Sequence, residues 1–310
     1  MSVATLDSAT ARVLNTKPKS LWDHTLSRLF RRRSAVVGMV ILVILIVAAL
    51  AAPVLAPYPP EMTLIGKEDV KKRAPPCIHL FGCPEDQPQH IMGLDGNVRD
   101  LYSRVLYGAR LSLMVGIVTV SFAIVIGTFL GALAGYVGGW TDNIIMGFMD
   151  VLLAFPSLIL AIAIVTVLGP GLLNTMLAIG IVSIPSYARI MRASVLTIKT
   201  QDYVLADRAM GVQPGRILFS NILPNALTPL VVQATLGIAG AILDAAALSF
   251  LGLGAQPPTP EWGSMIGQER NQVFSAPHLI VFPGMALILT VLSFNLLGDG
   301  LRDALDPRQR

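Results

Sequence analysis

The sequence predicts an all-α membrane protein that crosses the bilayer six times. Three observations carry this. Of 310 residues, 54% are hydrophobic and only 14% are charged, whereas a soluble domain carries about 25% charged residues. Six apolar runs approach or exceed the roughly 20 residues that a helix needs to span. The basic residues gather in the two tails and in one segment between spans. The formal charge of +4 is therefore an orientation signal, and no nucleic-acid partner is expected.

The chain begins with a tail, 1–34, holding Arg12, Lys17, Lys19, Arg28, Arg31, Arg32 and Arg33. The first span, 35–56 ("AVVGMVILVILIVAALAAPVLA"), has too long an apolar core for a cleavable signal peptide. A loop, 57–110, follows. It is basic through Lys67, Lys71, Lys72 and Arg73, yet a six-span topology puts it outside. Long loops cross largely regardless of charge. Its stretch "CIHLFGC" holds the only cysteines, Cys77 and Cys83. An oxidising exterior favours a disulfide, and six-residue separation permits one. A Zn²⁺ site from Cys77, His79, Cys83 and His90 is the alternative, with free thiols as the third state. Val98, Leu101, Tyr102, Val105 and Ala109 share a helical face, which predicts an amphipathic helix on the outer membrane surface.

A core of the remaining spans is placed at 111–298. Its first span, 111–137, carries Gly127, Gly131 and Gly135, two overlapping GxxxG steps that let helices approach closely. They serve packing within the chain or contact with a partner helix. The third span, 144–168, contains Asp150 and Pro156. The fourth, 172–188, contains Pro185. Either proline can kink its helix. The fifth span is 226–251, with Asp244, and the sixth is 279–297. The tail 299–310 carries Arg302, Arg308 and Arg310. Six crossings put both tails and the segment 190–225, with Arg192, Lys199, Arg208 and Arg216, on one side. The positive-inside rule makes that side cytoplasmic.

Acids within spans are functional candidates. A proton or cation relay through Asp150 and Asp244 would make the chain a self-sufficient secondary transporter. Neither acid has a Lys, Arg or His partner within a span, so a lining or structural role is expected instead.

The cytoplasmic segment has its own punctuation. Residues 202–210 are helix formers and Gly211 stands where a helix would end. "VQPG" reads as a turn. Residues 216–223 read as a second short helix stopped before Pro224. Such an element is too short and polar to span. It is either a plain connector or a knob for a cytoplasmic partner.

Gly211, followed twelve and thirteen residues later by Leu223-Pro224, resembles the "EAA" loop of ATP-binding-cassette importer permeases. That loop has an acid and two alanines before the glycine, and an isoleucine two residues before Leu-Pro. Here Leu205, Ala206 and Asp207 fill the first positions and Asn221 the isoleucine position. The run Ala206-Asp207-Arg208-Ala209-Met210-Gly211 is similar to the "AARALG" variant of the peptide-transport branch. Three further stretches resemble the dipeptide/oligopeptide permeases of the "C" subunit type. In "HIMGLDGNVRDLYSRVLYGARLSL", His90, Gly93, Asp95, Arg99, Asp100, Ser103, Arg104, Gly108 and Arg110 match, while Leu94 and Val98 depart. The others are "LSFLGLG" before "PPTPEWG", and "GDGLRDALDP" near the end. The stretch around Asp150, "MDVLLAFPS", is also similar. Where the family often has Glu after Asp244, this chain has Ala245.

The resemblance implies the type I importer permease fold in a bacterial inner membrane. It implies half of a translocation pathway for short peptides, with nickel complexes, glutathione or other small solutes possible in the same branch. The implied partners are a second permease, two ATPase subunits docking on Ala206, Asp207, Arg208, Ala209, Gly211, Leu223 and Pro224, and an external solute-binding protein. The residues agree with a borrowed engine. The sequence contains no GxxxxGK[ST] phosphate loop, no metal-binding His/Glu pair and no nucleophile elbow. The chain is thus expected to be no enzyme and to hold no cofactor, with ATP and Mg²⁺ on the partner subunits.

Overall fold

The computed structural model describes residues 28–305. Arg12, Lys17, Lys19, Pro307, Arg308 and Arg310 lie outside the described residues. Within them the chain is helical, with three isolated β-bridges and no strand.

Helix α1, Arg33–Leu55, buries a thin line of small residues that includes Ala35, Gly38, Ala49 and Ala52. Gly38 brings it against the last helix: a Cβ there would stand 2.8 Å from the Leu296 Cβ and from the Ser293 carbonyl oxygen. Val40, Val43, Val47 and Leu50 face outward, the arrangement expected of a helix solvated by lipid. Helix α2, Leu101–Val137, has 37 residues and is therefore ~55 Å long. That exceeds a hydrocarbon core of about 30 Å, so its first turns project beyond the membrane.

The predicted third span is two helices. Gly139–Leu153 (α3) and Ser157–Leu168 (α4) meet at a bend of 92°. Pro156 stands in the break. It lacks an N–H, and its ring restricts Phe155 to non-helical backbone. A proline expected to kink therefore breaks the span, while Pro185 lies inside an unbroken helix, α5, Leu172–Ile198. Among the described residues five helices are long and apolar enough to cross a membrane, and the bent pair counted as one span makes six. The others are α7, Thr228–Phe250, and α9, His278–Leu305. Helix α5 continues past residue 188, and α9 extends beyond 297.

The glycines of α2 face α5. A Cβ at Gly131 would overlap the Ala188 carbonyl oxygen, and one at Gly127 would lie 2.7 Å from the Tyr187 Cβ. One at Gly135 would lie 3.0 Å from the Arg192 carbonyl oxygen. The GxxxG steps thus serve packing within the chain. Around this seam sits the larger core, with Val115, Ala123, Ile184, Met191 and Val195.

The predicted amphipathic surface helix is a different object. Residues 101–110 are the first turns of α2, and Leu101, Val105 and Ala109 are buried against protein. Val98 precedes the helix with φ of 56°. Arg104 is buried too, donating to the carbonyls of Pro60 (2.9 Å) and Pro258 (3.1 Å). Its charges read as a solvated face because their acceptors are distant in sequence. Over this end lies α8, Trp262–Glu269, which the apolar runs did not mark because it has only eight residues. Its signal was the acid before it: Glu261 accepts from the N–H groups of Gly263 and Ser264, an N-cap. Trp262 is fully buried, and its indole donates to the Val105 carbonyl at 3.0 Å. Gly108 leaves room for that ring: a Cβ there would meet the Trp262 Nε1 at 2.7 Å.

Candidate functional site: a docking element at the basic end

Helix α6, Asp202–Ala209, has an acid in its first turn and Arg208 in its last, which complements the helix dipole. Gly211 then has φ of 77°. Its N–H donates to the Arg208 carbonyl and the Val212 N–H to the Asp207 carbonyl, both at 3.0 Å. This paired pattern is a Schellman end, which needs a left-handed residue at that position. A Cβ at Gly211 would meet nothing within 4 Å. The glycine is required by the backbone and not by crowding.

The chain re-enters a helix at Pro214–Arg216 and does not stop before Pro224. A π-helical stretch, Ile217–Ile222, leads into Leu223–Ala226, so Pro224 sits inside a nearly continuous run. The Leu223 N–H reaches back to the Leu218 carbonyl, five residues away. This wider turn accommodates the hydrogen bond that Pro224 cannot make.

The element has two faces. Val204, Ile217, Ile222 and Ala226 are fully buried in the core that also holds α2 and α5. The Tyr136 hydroxyl, from the last turn of α2, donates to the Pro214 carbonyl at 2.8 Å. Outward, Ala206, Arg208, Ala209 and Gly211 are exposed, beside Leu205, Met210 (72% exposed) and Phe219 (70% exposed). Leu223 is half-buried and Pro224 exposed. Contiguous apolar patches at a polar surface are candidates for contact areas.

Asp207 and Asn221 are both departures from the importer pattern, and they meet. The Asn221 amide donates to the Asp207 carboxylate, joining α6 to the π-helical stretch. Sequence reading counted them as separate departures because fourteen residues part them.

Ion pairs fasten the frame behind the element. Arg192 of α5 makes a two-point bond to Asp142 of α3, at 2.5 and 2.6 Å. Lys199 donates to the Gly135 carbonyl at 2.7 Å. Asp150 has a partner after all: Arg189 lies 2.7 Å away, and both side chains are more than half exposed. The carboxylate reads as isolated only because its partner is 39 residues distant. Asp244 is elsewhere, on α7 six residues before Phe250, toward the opposite end.

At that opposite end Cys77 and Cys83 are joined. The zinc alternative has no geometry to support it. His79 Nε2 bonds the Gln87 carbonyl, and His90 is held by Glu68 and Asp100. Among the described residues no three His, Cys, Asp or Glu side chains form a metal-holding group.

Residues 127–310 match the family described as binding-protein-dependent transport system inner membrane component. Residues 20–76 match the N-terminal TM domain of oligopeptide transport permease C. The dipeptide transport system permease protein DppC of Alkalihalophilus pseudofirmus is 45% identical, over 94% of this chain and 91% of that protein. The di/tripeptide transport system permease protein DppC of Pseudomonas aeruginosa is 46% identical, over 89% and 88%. The glutathione transport system permease protein GsiD of Pectobacterium atrosepticum is 43% identical, over 97% and 96%. Among solved structures, an inward-facing MetNI methionine ABC transporter is similar in fold, with a TM-score of 0.54 at 21% identity. That likeness covers 66% of this chain and 97% of the other.

Proposed function

The chain belongs to the binding-protein-dependent transport inner membrane components, and from that premise we propose how it works and what it carries. It is a six-span permease subunit of an ATP-dependent importer, built as half of a pathway. The end bearing Arg192, Lys199, Arg208 and the tails faces the cytoplasm. There the exposed surface of α6 enters a groove on an ATPase subunit. A second permease completes the pathway, and an external binding protein delivers the cargo, a dipeptide or tripeptide. ATP-driven closure of two ATPases pushes α6. Its buried underside and the Tyr136 bond pass that displacement to α2 and α5.

One observation carries this reading: the element exposes Met210, Phe219 and the Gly211 turn while its other face is part of the main core. A plain connector has no reason to be anchored below and apolar above. The relay alternative through Asp150 and Asp244 loses its basis, because Asp150 is paired with Arg189 on an exposed surface.

The test is Gly211→Val beside a control at Gln213. A β-branched residue at positive φ is strained, by roughly 1–3 kcal/mol, which distorts the Schellman turn. The expected outcome is normal insertion and co-purification of the second permease. ATPase subunits are lost, or ATP is hydrolysed without dipeptide uptake. Normal ATPase binding and normal uptake in Gly211→Val would make the element a connector.

A further inference from the structure

A cavity of about 200 Å³ lies between α5, α7 and the break that joins α3 to α4. Its α7 wall includes a stripe, Gln233, Gly237, Gly240 and Asp244, with Ala241 beside it. Spacings of four, three and four put these residues on one helical face. Ser183, Ser186 and Tyr187 of α5 stand opposite, and Phe155 marks the break. Two features suggest a space kept open for something. A Cβ at Gly240 would meet nothing within 4 Å, whereas at Gly237 it would overlap the Tyr187 hydroxyl. Gly237 therefore lets the helices close and Gly240 leaves the cavity open.

The only charged group lining the cavity is an acid, Asp244, beside the neutral Gln233, Ser157, Ser183, Ser186 and Tyr187. Asp244 is half-buried, and among the described residues no cation stands within ion-pair distance of it. The Ser183 hydroxyl spends its proton on the Ile179 carbonyl at 2.7 Å, so toward the cavity its oxygen can only accept. Tyr187 is tucked against Gly237. A carboxylate without a cation inside a span is costly, and such groups mark substrate pathways. Its depth fits entry of cargo from outside. Six residues from Phe250 place Asp244 ~9 Å along the helix from that end.

We propose that this cavity is a cargo subsite in which Asp244, with the Ser183 hydroxyl oxygen, receives the α-ammonium group of a short peptide. The assignment rests on the peptide-importer reading above. An ammonium presents three donors and no acceptor, which complements a carboxylate and a hydroxyl oxygen. Charge-assisted bonds of this kind are the strong ones. Asp244 is then a binding residue, satisfied only when cargo is present, and it selects against peptides whose amino end is blocked.

The experiment uses the complete importer in liposomes: both permeases, both ATPases and the binding protein saturated with labelled alanyl-alanine. Asp244→Asn should lower uptake about tenfold, a modest figure for removing one partner of a desolvated charge pair. ATP hydrolysis stimulated by the loaded binding protein should persist. Asp244→Glu should keep most of the uptake. Ser183→Asp added to Asp244→Asn, which returns a carboxylate from the opposite wall, should restore part of it. Uptake at the wild-type rate in Asp244→Asn overturns the assignment. So does an Asp244→Glu complex as slow as Asp244→Asn with its ATP hydrolysis intact. Should Asp244→Asn fail to assemble, Gly240→Leu decides. The open space there admits a side chain, so folding is kept, and a filled cavity must slow uptake. Unchanged uptake in Gly240→Leu overturns the subsite. A wild-type complex that imports no dipeptide removes the peptide reading and this assignment with it. A wild-type complex that imports while the variants match it removes the assignment alone.

Discussion

His90 can satisfy both of its neighbours only as an imidazolium. Its Nδ1 lies 3.1 Å from Asp100 and its Nε2 3.1 Å from Glu68, and its side chain is 2% exposed. A neutral ring donates from one nitrogen only. Burial opposes the charge, but the hydrogen bonds and charges of Asp100 and Glu68 outweigh it, so the pKa is raised above 6.5. The neighbouring Tyr58 hydroxyl donates to Glu68 at 2.8 Å and is pushed up to about 12, by burial first and then by Glu68, so it stays protonated in the range of interest. The sign follows. The folded form binds the proton more tightly than the unfolded chain, so its stabilisation is full below a pH of about 6.5. It is lost as pH rises through the folded pKa. Between pH 6 and pH 9, proteolysis of the segment 57–100 should therefore quicken in the wild type. His90→Asn should cleave quickly at both ends of that range and show little slope. A wild-type rate that is flat, or that falls with pH, would contradict the imidazolium. The histidine was visible in the sequence as a family match and as a zinc candidate. Its true partners were not, since Glu68 and Asp100 reach it only once the loop is folded.

At the scale of elements, the α2–α5 seam holds the molecule's middle together, and Gly131 is its tightest point. Any side chain there overlaps the Ala188 carbonyl, which is backbone and cannot swing aside. Gly131→Val must push the helices apart, a cost of about 1–3 kcal/mol for overpacking. The detergent-solubilised complex should unfold several degrees lower. Gly240→Val, on a helix face with free space, should unfold near the wild-type temperature. Equal melting of the two would place the seam elsewhere. The sequence showed these glycines as a motif but not the surface they serve, because a GxxxG stripe packs equally well on its own chain or on another. The apolar runs were legible as spans since a bilayer tolerates little else. Their ends were not. Helix α2 starts ten residues before its apolar run because Arg104 finds carbonyl acceptors on Pro60 and Pro258, and a basic residue reads as a boundary until its partners are known. Helix α8 was missed for the opposite reason: eight residues are too few for periodicity to speak.

The whole molecule is polarised by the balance of its charges. At one end lie Arg32, Arg189, Arg192, Lys199, Arg208, Arg216 and Arg302. The other end holds Lys67, Lys71, Lys72, Arg73, Arg99 and Arg104, but acids such as Glu68, Asp69, Glu85, Asp86, Asp95 and Asp100 balance them, and its guanidiniums too are held in place. Arg73 meets Glu269 at 2.9 Å, Arg99 meets Asp95 at 2.7 Å, and Arg104 meets Asp95 at 3.4 Å. These pairs knit the loop 57–100 to α8 and to the first turns of α2, forming one folded cap that must cross the membrane as a long loop. By the positive-inside rule the short basic segments beside the spans should set the orientation instead, and the end with Arg192 and Arg208 is predicted to stay inside. This can be read directly. Cysteine at Gln213, exposed on the docking element, and cysteine at Phe274, fully exposed between α8 and α9, stand at opposite ends. Cys77 and Cys83 are paired and do not compete for an alkylating reagent. In intact cells an impermeant maleimide should label Phe274→Cys at once and leave Gln213→Cys unlabelled until the membrane is opened. The reverse pattern would turn the molecule over. The α6 surface would then face away from any cytoplasmic ATPase, and the coupling mechanism would fail even though every helix kept its place.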